Sequence, residues 1–205
     1  MLKIKLQGKP YSIPNSIDDV SIGKFIELRN IDPSDHLAIL HWALNDTPFI
    51  KEEGNIEQEL ANIFTLIQPT ITEIYAFMNN KAKYDMPKTI EVLGSTVKIK
   101  GGLLNELPYW AYVVTKSIVI KNVGNDTFDP TDDIPRVLAH YLYKYVTGND
   151  YTETRAEEFI DVVNDIPMKQ AIQLGNFFLK KHQSLFPLNK SNSKGILSQT
   201  ILKRV

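Results

Sequence analysis

The stretch IPNSIDDVSIGKFIEL, residues 13–28, joins an extended segment to a short amphipathic helix. Pro14 is expected to end the extended segment, because proline has no N–H to donate to a strand ladder. Ser21 is a favourable N-cap residue, and Phe25 and Leu28 follow it three residues apart, on one face of the helix that it would start. The sequence therefore predicts a rigid joint, in which a strand ends and a helix begins within a few residues.

Two short β-hairpins are predicted, at about residues 2–13 and 89–100, each followed by a polar joint and a helix. In the first, apolar residues alternate with lysines on either side of Gly8. Alternation with a period of two around a glycine is typical of a hairpin. The second hairpin is expected to pair Ile90 and Val92 with Val97 and Ile99 across a turn at Gly94 and Ser95.

Most of the remaining chain carries apolar residues at helical spacing, so the predicted fold class is α+β and mostly helical. Pro69 falls inside the longest helical stretch, and we expect a kink or two helices there because proline removes an interior hydrogen bond. A C-terminal three-helix region completes the predicted fold. The helices are expected over residues 34–45, 56–80 and 108–121, and the three C-terminal helices are expected to begin near Pro135, Thr152 and Pro167.

The domain organisation is predicted to be a single globular domain over residues 1–186, followed by a tail. The two hairpins suggest that the domain could consist of two hairpin-plus-helix halves, residues 1–86 and 87–186, although two unrelated hairpins explain the pattern nearly as well. The tail, residues 187–205, has four basic residues and no acidic ones, and it ends in an apolar segment. We interpret it as a flexible basic tether with an apolar docking segment.

Composition argues against several classes of function. The formal net charge of the 205 residues is −1, so no long-range field would attract nucleic acid or anionic lipid. No apolar run reaches the roughly 20 residues that span a bilayer, and no secretory signal is recognisable. The chain has no cysteine, which removes disulfides, thiolate metal sites and thiol nucleophiles. We expect no cofactor, metal, membrane or small-molecule substrate, and synthesis in a cytoplasm.

Individual side chains suggest two weaker alternatives for the function. The first is a small hydrolase with a dispersed site, for which His140 and the pair Asp132 and Asp133 are the best candidates. The second is a single-strand nucleic-acid binder that would use the cluster Tyr109, Trp110 and Lys116. Core packing or a protein interface accounts better for the aromatic side chains, so no direct nucleic-acid binding is expected.

Two segments, YSIPNSIDDVSIGKFIEL and VVNDIPMKQAIQLGNFFLKK, resemble parts of small proteins of tailed bacteriophages. In the first, an Ile-Pro ending leads into an acidic turn and then a Ser/Thr-apolar-x-Lys/Gln-aromatic pattern; the second is similar to the late helix of such proteins. The resemblance covers residues 11–31 and 155–182. The family comprises tail and neck assembly proteins, both assembly chaperones and parts of the connector or baseplate.

The resemblance implies a non-enzymatic virion component that makes contacts with other phage structural proteins, with an assembly chaperone absent from the mature particle as the alternative. The joint would present a sheet edge and a neighbouring apolar groove to partner chains. Two such surfaces per subunit would suit a homo-oligomeric ring or tube. The residues expected to bind partners are Ile13, Ile17, Phe25, Trp110, Ile196, Leu197, Ile201 and Leu202.

Overall fold

The computed structural model describes residues 1–6, 8–45, 56–99, 109–122 and 131–185. Within these ranges the chain is mostly helical with two antiparallel strand pairs, so the α+β fold class is confirmed. The strands are β1 (Leu2–Leu6), β2 (Lys9–Ile13), β3 (Thr89–Val92) and β4 (Ser95–Lys98); the helices are α1 (Ile22–Arg29), α2 (His36–Ala43), α3 (Ile56–Asn79), α4 (Tyr109–Asn122), α5 (Ile134–Thr147), α6 (Glu153–Glu158), α7 (Ile160–Asn164) and α8 (Met168–Leu185), with 3₁₀ turns at Ile17–Asp19 and Lys81–Tyr84.

Both predicted hairpins form, as β1–β2 and β3–β4. The second turns one residue earlier than predicted, at Leu93 and Gly94, because Val92 pairs with Ser95. Both turn residues have positive φ, +52° and +70°, as a two-residue hairpin turn requires. The register shifts with the turn: Ile90 pairs with Val97, whereas a turn at Gly94 and Ser95 would place Val97 opposite Val92 and Ile99 opposite Ile90.

The predicted joint after β2 is confirmed. The Ser21 hydroxyl accepts a hydrogen bond from the Lys24 N–H, which caps α1. The next helix, α2, begins two residues later than expected, since Asp35 caps it through the N–H of Ala38. Local capping chemistry therefore decides where both helices begin.

Pro69 lies inside α3 without dividing it. The helix is one continuous element of 24 residues, so the expectation of two helices is wrong. Ile67 and Ile74, on either side of the proline, are both fully buried. Packing of this apolar face compensates for the hydrogen bond that the proline removes.

The C-terminal region contains four helices where three were predicted. The second predicted helix is divided at Phe159 into α6 and α7. Thr152 caps α6 through the N–H of Arg155, and Gly148 ends α5 with a φ of +70°, as expected.

Buried residues from Leu6 in β1 to Phe178 in α8 form one hydrophobic cluster. Within this cluster, the rings of Tyr141 in α5 and Phe178 in α8 stack with their centroids 4.0 Å apart. The division of the domain into two halves stays a prediction. Across the described ranges, no helix combines the length and the apolar character that a membrane crossing requires.

Candidate functional site

The two segments that resemble phage proteins meet in space, although about 140 residues separate them in the chain. The N–H of Ile22 donates to the carbonyl of Ile166, and the N–H of Met168 donates to the carbonyl of Val20, both at 2.8 Å. These bonds flank an isolated antiparallel bridge between Ser21 and Pro167. We call the unit formed by residues 20–22 and 166–168 the paired helix starts.

The two halves of the paired helix starts are also similar in sequence. DVSIGKFIEL, residues 19–28, aligns without gaps with DIPMKQAIQL, residues 165–174. The bridge joins equivalent residues, and its two hydrogen bonds are reciprocal, so a local two-fold axis relates the two helix starts. The sequence analysis did not predict this similarity, because the repeat that it predicts follows the two hairpins.

Side-chain contacts follow the same two-fold relation. Gly23 of α1 lies against Asn164, whose Cβ would be 3.0 Å from a Cβ added to the glycine. The equivalent pair, Lys169 and Asp18, forms an ion pair at 3.7 Å. The symmetry therefore extends beyond the two bridging bonds.

Two side chains from other helices bind backbone groups on either side of residues 20–22. A carboxylate oxygen of Glu73 in α3 accepts a hydrogen bond from the N–H of Ile17 at 2.9 Å. The indole N–H of Trp42 in α2 donates to the carbonyl of Lys24 at 2.7 Å. The paired helix starts thus connect α1, α2, α3 and α8, and their chemistry is that of a structural joint.

Three of the residues expected to bind partners lie in this framework. Ile13, Ile17 and Phe25 are at most 3% exposed, so the prediction that they form a partner surface is wrong for the folded chain. Ile13 ends β2 on its inner face, and Phe25 lies one helical turn after the buried Ile22. These apolar residues at strand and helix spacing pack into the core and do not line an open groove.

The edge of the first hairpin, which was expected to bind a partner chain, also carries residues that oppose strand pairing. Lys3 and Lys5 are exposed on β1, and the exposed Pro10 lies opposite Lys5 on β2. Edge lysines and a residue without an N–H oppose the addition of another strand. The first hairpin is therefore poorly suited to the role that the sequence predicted for it.

His140, the best candidate for a catalytic residue, is fully buried in α5. Its Nε2 lies 3.0 Å from a Glu157 carboxylate oxygen, and its Nδ1 lies 2.8 Å from the Tyr151 hydroxyl. A neutral ring with its proton on Nε2 donates to Glu157 and accepts from Tyr151, so both nitrogens are satisfied. Arg136 donates to the same carboxylate through Nε at 2.7 Å. This network joins α5 to α6.

The proposed hydrolase site does not assemble around His140. Asp132 instead forms an ion pair with Arg29 at 2.8 Å, and Asp133 occupies the N-cap position of α5 without a capping side-chain hydrogen bond. The carboxylate that contacts the ring, Glu157, was not recognised from sequence. With both nitrogens bonded inside the protein and no exposed side-chain surface, His140 could reach a substrate only if α5 and α6 separated.

The pKa of Glu157 reflects the hydrogen bonds and charges of this network. Partial burial raises that pKa, but hydrogen bonds from Arg136 and His140 and the positive charge of Arg136 outweigh burial, and the net pKa lies below 4.5. The carboxylate therefore stabilises the fold above pH 4.5, and the contribution disappears as the pH falls through the lowered pKa.

Replacing Glu157 with glutamine is expected to reduce the free energy of unfolding by about 1 kcal/mol at pH 7, since one charge-assisted interaction is lost. Because protonation removes the same interaction, the difference from the natural chain should shrink at pH 3. Urea unfolding at the two pH values measures it. Glu153→Gln, at an exposed position of α6, is the matched control; equal behaviour of the two variants at both pH values would contradict the assignment.

The other predicted site residues lie apart from this unit or outside the described residues. Tyr109 is 71% exposed at the start of α4, with its ring 6.2 Å from that of Tyr112. Trp110 lies in α4, but its side chain is outside the described residues. The tail residues are also outside the described residues, and their role in binding partners stays a prediction: Ile196, Leu197, Ile201 and Leu202.

An open groove of about 410 Å³ runs beside α6. It contains none of the predicted site residues. Within the described ranges, no group of three histidine, aspartate or glutamate side chains is arranged to hold a metal ion. The groove is lined by Tyr143, Asn149, Arg155, Glu158 and Phe159.

Comparisons with protein-family models, with curated proteins and with solved structures give no match to this chain.

Proposed function

We propose that this chain is a non-enzymatic component of the tail or neck of a tailed bacteriophage, present in repeated copies that contact one another and other structural proteins. One observation carries the proposal: the two segments that resemble such proteins form a single unit, the paired helix starts. If these two segments, whose bridged residues Ser21 and Pro167 are 146 positions apart, lay on opposite sides of the fold, their shared resemblance would be coincidental. Here they are hydrogen-bonded to each other.

The burial of the resembling residues supports the same conclusion. Val20, Ile22, Ile166 and Met168 are each no more than 2% exposed. Residues that are buried in the core specify a fold, whereas catalytic residues are polar groups that line an accessible cleft. The resemblance is therefore one of architecture, which suits an assembly protein better than an enzyme.

The experiment is to count copies of the chain by quantitative mass spectrometry in purified particles of the phage that encodes it. A virion component is expected at a fixed ratio to the known ring or tube proteins. Abundance in the lysate with absence from particles would replace the proposal by the alternative, an assembly chaperone. Absence from particles together with failure to bind any tail or neck protein in the lysate would reject both.

A further inference from the structure

The groove beside α6 lies where α5 ends and α6 begins. Gly148 ends α5 with a positive φ, and Thr152 caps α6 by accepting a hydrogen bond from the N–H of Arg155. The rings of Tyr143 in α5 and Phe159 at the end of α6 meet edge to face, with their centroids 5.7 Å apart. The groove therefore combines aromatic rings with polar side chains, on two helices whose ends are fixed by local caps.

One buried polar group at this groove is left without a partner. Among the described residues, the hydroxyl of Tyr143 has no hydrogen-bond partner, although Tyr143 is only 7% exposed and lines the groove. Buried tyrosine hydroxyls are normally hydrogen-bonded, because an unsatisfied one has lost its contact with water and gained nothing in return. The groove is therefore where we expect this hydroxyl to find its partner.

Two side chains of opposite charge line the same groove and do not pair with each other. Arg155 and Glu158 are three residues apart on α6, which is the spacing at which Lys24 and Glu27 of α1 form an ion pair at 2.8 Å. Within the described ranges, neither Arg155 nor Glu158 forms an ion pair, and both are exposed. Glu157, which lies between them in the sequence, is held by the α5 side chains described above. Both charges are therefore available to a ligand.

The two charges also restrict the kind of ligand. A ligand with one sign of charge would be attracted by one of these side chains and repelled by the other. A ligand that carries both signs can satisfy both at once. The volume of the groove, about 410 Å³, is at the lower end of the roughly 300–1,000 Å³ that small-molecule sites have. The charges and the volume together fit a small zwitterion.

We propose that this groove binds an α-amino acid with an aromatic or large apolar side chain. The ligand carboxylate lies against the Arg155 guanidinium and accepts hydrogen bonds from the Tyr143 hydroxyl and the Asn149 amide. The ligand ammonium lies against the Glu158 carboxylate, and the ligand side chain packs against the ring of Phe159. This inference goes beyond the proposed function, because it assigns a site for a small ligand and not a contact between subunits.

The test is the melting temperature of the purified chain at rising concentrations of L-phenylalanine, since a ligand that binds the folded state raises it. Two related compounds each lack one of the charges: L-phenylalaninamide has no carboxylate, and N-acetyl-L-phenylalanine has no ammonium group. Each is expected to bind about fivefold more weakly than L-phenylalanine, because one exposed ion pair is lost. No rise with L-phenylalanine, or an equal rise with all three compounds, would overturn the proposal.

Substitutions in the groove test whether the ligand binds there. Arg155→Gln and Glu158→Gln are each expected to weaken the binding of L-phenylalanine about fivefold. Tyr143→Phe is expected to weaken it about tenfold, because a hydrogen bond to a charged group is lost. Glu153→Gln, at an exposed position of α6 that does not line the groove, is the matched control and should bind normally. Unchanged binding by any of the three groove variants contradicts the proposal.

The stability of Tyr143→Phe without ligand provides a further check. Because the hydroxyl has no partner among the described residues, its removal should leave the melting temperature unchanged or raise it. A clear fall would show that the hydroxyl is already bonded within the chain, and the argument for a ligand at this position would fail. Particle counting remains a separate test of the proposed function.

Discussion

Replacing Met168 with alanine is expected to lower the free energy of unfolding by about 2–5 kcal/mol. The side chain is fully buried at the first position of α8, and its own N–H closes one of the two bonds of the paired helix starts. Ile22, its two-fold equivalent, is also fully buried and closes the other bond. Because the environments are equivalent, Ile22→Ala should cost a similar amount.

Urea unfolding followed by circular dichroism measures both costs. Leu37→Ala, at a leucine that is 52% exposed on α2, is the control and should cost little. If Met168→Ala and Ile22→Ala behaved like this control, the paired helix starts would not be the framework of the fold. The proposed function would then lose the observation that carries it.

Replacing Gly175 with alanine is expected to destabilise the chain by about 1–2 kcal/mol. An added Cβ would lie 2.8 Å from Cγ1 and 2.9 Å from Cγ2 of Ile134, where α8 crosses the start of α5. Overpacking of this kind costs about 1–3 kcal/mol, and the roughly 1 kcal/mol by which alanine favours a helix offsets only part of it.

A double-mutant cycle tests the cause of this loss. Ile134→Ala removes the three atoms nearest to the added Cβ, so Gly175→Ala should become neutral or stabilising in that background. Gly23→Ala is a graded comparison, since its Cβ would lie 3.0 Å from the nearest atom of Asn164 and should cost less. An unchanged loss in the Ile134→Ala background would show that overpacking is not the cause.

The elements that sequence predicted best depend on neighbouring residues. Ser21 caps α1 and Gly148 ends α5 because capping needs only a side chain and the N–H groups beside it. The turn at Leu93 was missed because leucine is a poor residue for positive φ, and local rules place the turn on a better one.

The candidate site was predicted less well, because it depends on contacts between distant residues. Phe25 was recognised as apolar and helical, but amphipathic spacing does not say whether the apolar face meets the chain itself or a partner. Glu157 could not be assigned to His140, since the contact requires α6 to fold back on α5. The repeat predicted from sequence follows the two hairpins, whereas the two-fold repeat lies in the helix starts.

The amino-acid sequence by itself determined the two hairpins, most of the helix boundaries and the mostly helical α+β class, because periodicity, turns and caps act over a few residues. Only the tertiary structure decided that Val20–Ile22 would pair with Ile166–Met168. The physical reason is that burial and backbone pairing between distant segments depend on the three-dimensional arrangement of the whole chain. The local propensities of individual residues do not encode that arrangement.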